Sequence, residues 1–235
     1  MGCAKSRLIP PSQAKMLGSQ LSLKTADGNT IQAQYFNQGY NVTLIISHGC
    51  DEDFSQIEEW VKNNLLQTLK ANIFIYEYSY FNDGETQVSE FGYSDCESAF
   101  WFVYECLRTS RSKIFLYGRS IGVAPSCHLA EKYPDVGGLI LQGPLNYNFR
   151  GNSDNKFTFP REMFPSIEKM KNIRCPILVI HGNKDDSAIM PSANELYKSC
   201  RSSQKQWHSL GVDQNANPCQ EEVLETIKHF MDKSI

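Results

Sequence analysis

No apolar run in the 235 residues approaches the roughly 18 needed to cross a membrane. The first residues, MGCAKSRLIPP, have no apolar core, so a secretory signal is not expected. Basic residues are not in excess: the net charge is −3, against the positive balance that general nucleic-acid binding requires. Eight cysteines are present, yet none stand as C-x-x-C. They are expected to be mostly reduced thiols in a cytosolic setting, not a disulfide framework. Neither a metal-ligand spacing nor a cofactor motif is present, so no metal and no cofactor are expected. Repeats and low-complexity tracts are also missing.

What is present suits one folded domain. The chain is 41% apolar and 21% charged, which allows a sizeable core. At the amino terminus, Met1-Gly2-Cys3-Ala4-Lys5-Ser6 fits the M-G-x-x-x-[ST] acylation pattern. Removal of Met1 frees Gly2 for a myristoyl chain, and Cys3 beside it suits palmitoylation. One myristoyl chain binds a bilayer only marginally, with a constant of about 10⁴ M⁻¹, so a second chain is needed for a stable anchor. Lys5 and Arg7 add attraction to anionic lipid. Residues 1–20, with Pro10 and Pro11, read as an acylated tether, and 21–235 as the domain. A location on the cytoplasmic face of a membrane follows as an expectation.

Strands are expected at Leu21–Thr25 and Thr30–Phe36, flanking the turn-forming Asp27-Gly28. Buried strands follow at Val42–Ile46, Asn72–Tyr78, Lys113–Tyr117, Gly138–Leu141 and Pro176–Ile180, with a weaker one at Gln206–Leu210. Helical periods lie between them, in Ile57 to Leu69, Ala99 to Leu107, Val123 to Lys132 and around Leu196-Tyr197. A last helix is expected to be capped by Asn217 with Pro218 first inside it. Alternating strands and helices define an α/β protein with a mostly parallel sheet covered on both faces. Residues 145–165 break the pattern. They are polar but hold Tyr147, Phe149, Phe157, Phe159 and Phe164, and read as a short cap; these aromatics line an acyl-chain groove or simply pack the cap.

Gly118-Arg119-Ser120-Ile121-Gly122 matches G-x-S-x-G, between an expected strand and an expected helix. That context makes Ser120 the candidate nucleophile and the N–H of Ile121 a candidate oxyanion donor. The loop Ser47-His48-Gly49-Cys50 is placed to supply the second donor from Cys50. His48 itself shapes this loop more readily than it acts as a base. After the strand Pro176–Ile180, Asp185 is the chosen triad acid and Asp186 its competitor.

With these motifs in place the chain resembles the α/β-hydrolase superfamily. Within it, the chain is most similar to the membrane-anchored α/β-hydrolase-domain protein depalmitoylases. The resemblance spans roughly residues 20–233. It is carried by SHG at 47–49, LYGRSIG at 116–122 with Pro125, FPSIEKM at 164–170, CPILVIHGNKD at 175–185, and the later Leu196, Tyr197 and Cys200. It implies the α/β-hydrolase fold, with an N-terminal antiparallel hairpin. It also implies cleavage of acyl thioesters on peripheral membrane proteins and lipid anchoring through N-terminal cysteines. The stretch 77–84 departs from the family in lacking its usual glycines.

The larger departure is the base. Triad order in this fold is Ser, then Asp or Glu, then His in the loop before the last helix. Here that loop is Gly211-Val212-Asp213-Gln214-Asn215-Ala216-Asn217, and register from Asp185 puts Gln214 at the histidine's place. A neutral amide cannot take and return the serine proton. His208 is the best substitute; Asp213, His128, His181 and His229 are weaker. Two readings stand. One is an impaired or retired hydrolase that binds acylated proteins or fatty-acyl chains, or joins a membrane-linked protein assembly. The other is an active thioesterase using Ser120, Asp185 and an unusual base.

Overall fold

A computed structural model describes residues 15–17, 20–49, 52–79, 92–143, 166–182, 190–210 and 221–235. Nine strands form one sheet in the order β1-β2-β3-β5-β4-β6-β7-β8-β9. They are β1 (Lys15–Leu17), β2 (Gln20–Lys24), β3 (Thr30–Phe36), β4 (Thr43–Ser47) and β5 (Asn72–Tyr76). The rest are β6 (Ile114–Arg119), β7 (Gly138–Gln142), β8 (Ile177–Gly182) and β9 (Lys205–Leu210). β1, β2 and β3 pair antiparallel, and β3 meets β5 antiparallel. From β5 to β9 every pairing is parallel. This is the expected α/β-hydrolase architecture, with its antiparallel hairpin at the N-terminal edge.

Buried side chains alternate between the two faces, as the period of two in a strand requires. Ile45, Phe74, Leu116, Leu139 and Val179 face one layer. It is covered by α2 (Tyr93–Trp101), α3 (Val123–Lys132), α4 (Ser166–Met170) and α5 (Met190–Ser199). Ile46, Ile75, Tyr117, Ile140 and Ile180 face the other layer. That face is covered by α1 (Phe54–Trp60) and α6 (Glu221–Ser234), through Ile57, Trp60, Val223, Ile227 and Phe230. The central strands are apolar throughout because both of their faces are buried.

Element boundaries differ from expectation where side chains intervene. β5 stops at Tyr76, two residues early, because the Glu77 carboxylate takes the Tyr78 N–H at 2.8 Å. β6 begins at Ile114 and runs on to Arg119, since Gly118 pairs with Leu141 and Arg119 with Gln142. α1 starts at a capping box the sequence reading passed over. Asp53 accepts from Gln56 N–H, and the Gln56 side chain answers the Asp53 N–H. Within the stretch read as the tether, Lys15–Leu17 pair with Gln20–Ser22, and Gln20 opens β2. The sheet therefore begins inside the stretch assigned to the tether. Gly2, Cys3, the cap 145–165 and Asn217 lie outside the described residues.

Cys96, Cys106, Cys127, Cys175 and Cys200 are free thiols, so no disulfide is found among the described residues. Burial pushes the Cys175 thiol up to about 12, with Cys200 nearby adding to the rise, and this keeps it protonated. Among the described residues no helix is long and apolar enough to cross a membrane.

Candidate active site

The site lies at the carboxyl ends of β4 and β6, which are neighbours with Ser47 level with Gly118. β6 ends at Arg119. Ser120–Gly122 form one tight 3-10 turn that runs directly into α3. Ser120 sits at φ +53°, in the left-handed region, which costs a side-chain-bearing residue about 1–2 kcal/mol. Its half-buried position leaves it reachable from outside. A serine held this way at a strand-to-helix turn is the geometry of a nucleophile elbow.

Both motif glycines are required by close approach. A Cβ on Gly118 would lie 2.5 Å from Gly122 O and 2.8 Å from the Ser126 Oγ. On Gly122 it would lie 1.9 Å from Ser47 O and 2.8 Å from His48 O. The elbow therefore rests backbone-to-backbone on the loop after β4. Ile121 is buried, 3% exposed, and its N–H stands in the first turn leading into α3. Amides there lack partners within the helix, and the helix end carries partial positive charge. Both favour a developing oxyanion.

The loop after β4 is held from several sides. Ser47 Oγ and Tyr76 OH share a hydrogen bond of 2.6 Å, and Tyr78 OH donates to His48 O at 2.9 Å. The His48 ring lies against Tyr78, centroids 4.6 Å apart. His48 Nδ1 faces Gly49 O at 2.8 Å, and Nε2 faces Glu77 Oε1 at 3.1 Å. A carbonyl can only accept, so Nδ1 carries a hydrogen, and the second nitrogen is committed to the carboxylate. His48 is 1% exposed and shapes the loop, as its sequence context suggested. Ser79 donates from N and Oγ to Asp95 Oδ2 at 2.9 and 3.0 Å. Burial raises the Asp95 carboxyl above the usual carboxylate range, and the Ser79 bonds oppose that rise. Glu77 and Ser79 thus pin this end of the sheet.

Sequence reasoning missed Glu52, Glu77 and Arg119. Glu52 Oε2 accepts the Gly49 N–H at 3.1 Å, and its Oε1 accepts from Arg119 Nη1. The available signals were a charge inside the nucleophile motif and an acid directly after the apolar run of β5.

The chain has five histidines, and all of them are described. His128 bonds Glu97 at 2.7 Å and stacks on Tyr93 at 4.2 Å, on the helix behind the elbow. His181 is buried with Nδ1 2.6 Å from Gly182 O, its ring against Trp207 on β9. His229 is exposed on α6, eight residues or about 12 Å along the helix from Glu221. His208 is level with Ile180, and its Nε2 meets Glu222 Oε1 of α6 at 3.0 Å. β9 is three strands from β6, so roughly 14 Å of sheet separate His208 from the elbow. In the structure His208 is thus paired with Glu222 of α6. Cys50, Asp185, Asp186, Asp213 and Gln214 lie outside the described residues. Among the described residues no group of three or more His, Cys, Asp or Glu could hold a metal ion.

A nine-strand sheet of this topology with a serine elbow after β6 is the α/β-hydrolase fold. Solved esterases share the architecture. The Pyrococcus furiosus esterase superposes with a TM-score of 0.70 at 14% identity, covering 94% of this chain and 92% of that one. The Rhodococcus esterase RhEst1 gives 0.68 at 15%, covering 93% and 100%. At these identities the likeness speaks for the fold alone. In sequence the chain is related to the alpha/beta hydrolase domain-containing proteins. It is 32% identical over 192 residues to protein aho-3 of Caenorhabditis elegans, covering 81% of this chain and 57% of that protein. It is 28% identical over 216 residues to protein 17B of Homo sapiens, covering 90% and 74%. The chain thus spans little more than half of the worm relative. No family model matches the chain.

Proposed function

We propose that this chain is an acyl-binding α/β-hydrolase, held at the cytoplasmic face of a membrane by N-terminal acyl chains, in which thioester turnover is lost or severely slowed. One observation carries the reading. The elbow presents Ser120, yet His48, His128, His181 and His208 each have a hydrogen-bond partner other than Ser120, and His229 is exposed on α6. Without a base the hydroxyl remains a weak nucleophile, while the elbow amides can still receive a carbonyl oxygen. The ligand class, an acylated cysteine or a fatty-acyl chain, rests on the likeness to the depalmitoylases and on the aromatics of residues 145–165.

The alternative, an active thioesterase, has one observation in its favour. Ser120 keeps a strained φ of +53° that binding alone does not require. A single assay separates the two. Purified full-length protein, given a palmitoyl thioester, is expected to bind it without turnover above background. Turnover that disappears in Ser120→Ala would establish the active enzyme instead.

The anchor has its own test. Mass spectrometry of the protein from its native cells is expected to find Gly2 myristoylated and Cys3 palmitoylated. An unmodified Gly2 rules the anchor out.

A further inference from the structure

We propose that Arg119 and Glu52 are positioning residues that lock the loop after β4 to the nucleophile elbow and so set how the site receives an acyl carbonyl. The proposal deepens the acyl-binding reading and rests on it for its ligand. Arg119 is the variable residue of G-x-S-x-G and immediately precedes Ser120. By strand alternation it shares the sheet face of Phe115 and Tyr117, the side covered by α1 and α6. Glu52 stands 67 residues earlier, just before the α1 cap Asp53.

Both Glu52 oxygens are committed. Oε1 accepts from the Arg119 guanidinium and Oε2 from the Gly49 N–H. A carboxylate fixed at two points fixes in turn the peptide plane that it holds, here the one entering Gly49. The pair is largely withdrawn from solvent, with side-chain exposures of 19% and 16%. Screening is weaker there than on the surface.

Other contacts already meet the needs of folding. α1 has its own capping box at Asp53, and Gly122 packs directly on the Ser47 carbonyl. A partly desolvated ion pair is a poor choice for packing alone, since well-packed apolar residues serve that purpose as well or better. What the pair adds is orientation: the loop and the elbow, at the ends of two neighbouring strands, are tied to each other.

The test uses full-length protein and two hexadecyl probes, a trifluoromethyl ketone and a thioether without a carbonyl. Arg119→Met is expected to weaken ketone binding tenfold or more and thioether binding less than twofold. Arg119→Lys should recover part of the loss. Amide exchange of Gly49, followed by NMR without ligand, is expected to accelerate tenfold or more in Arg119→Met while that of Ile45 stays unchanged. Equal loss of both probes would mean a collapsed pocket and overturn the proposal, as would unchanged Gly49 exchange. If neither probe binds the wild-type protein, the acyl-binding reading fails, and Gly49 exchange alone decides the lock.

Discussion

Gln214→His is expected to create a thioesterase. On the proposed reading Gln214 holds the base position, while His48, His128, His181 and His208 have hydrogen-bond partners of their own. In a serine protease, loss of the histidine alone costs about 10⁶ in turnover, or roughly 8 kcal/mol. Restoring it here is expected to raise palmitoyl-thioester hydrolysis at least about 100-fold, with about 10⁶ as the ceiling. The gain should vanish in the Ser120→Ala, Gln214→His double variant and fall in Asp185→Asn, Gln214→His. It should also rise with pH through about 6.5, as the new imidazole loses its proton and becomes a base. A rate unchanged by Gln214→His would show that the missing base is not what limits the wild type.

Gly122→Ala is expected to be the most destabilising single-methyl change in the elbow. Gly122 has a φ of −62°, which any residue can adopt, so the cost is steric and not conformational. The added carbon would lie 1.9 Å from the Ser47 carbonyl oxygen and 2.5 Å from its carbon. Both are backbone atoms of a central strand and cannot swing aside. A loss of about 3 kcal/mol or more is expected, at the upper end for overpacked cores. Gly28→Ala is the contrast. Gly28 has a φ of +95° but nothing within 4 Å, so only the backbone cost of about 1–2 kcal/mol applies. Urea denaturation of the two variants measures the difference. Equal midpoints would mean that the elbow and the loop after β4 do not touch as described.

Much of this was legible because each strand carries its own signal. β4, β6, β7 and β8 are short apolar runs, and the Asp27-Gly28 pair between alternating segments announced the β2–β3 hairpin. The elbow was legible for the same reason: its glycines, serine and flanking elements lie within one continuous stretch. β1 was not, because Lys-Met-Leu is too short to show alternation and becomes a strand only through its partner β2. The network behind the site was invisible for a related reason. His48 and Glu77 are separated by 29 residues and Arg119 and Glu52 by 67. No local period encodes such pairs, and only the strand order brings them together.

The strand order also bears on how the chain comes to fold. β4 lies between β5 and β6, and its pairing with β6 joins segments about 70 residues apart. No central parallel pair except β4–β5 can close until β6 exists. Loop-closure entropy must be met before those contacts reward it, so folding should be slow, on the millisecond-to-second scale of non-local topologies. During that interval β4 and β5 expose apolar faces, a hazard for self-association at high concentration. The Gly2 end is synthesised long before residue 119, so the myristoylation proposed there would precede closure of the sheet.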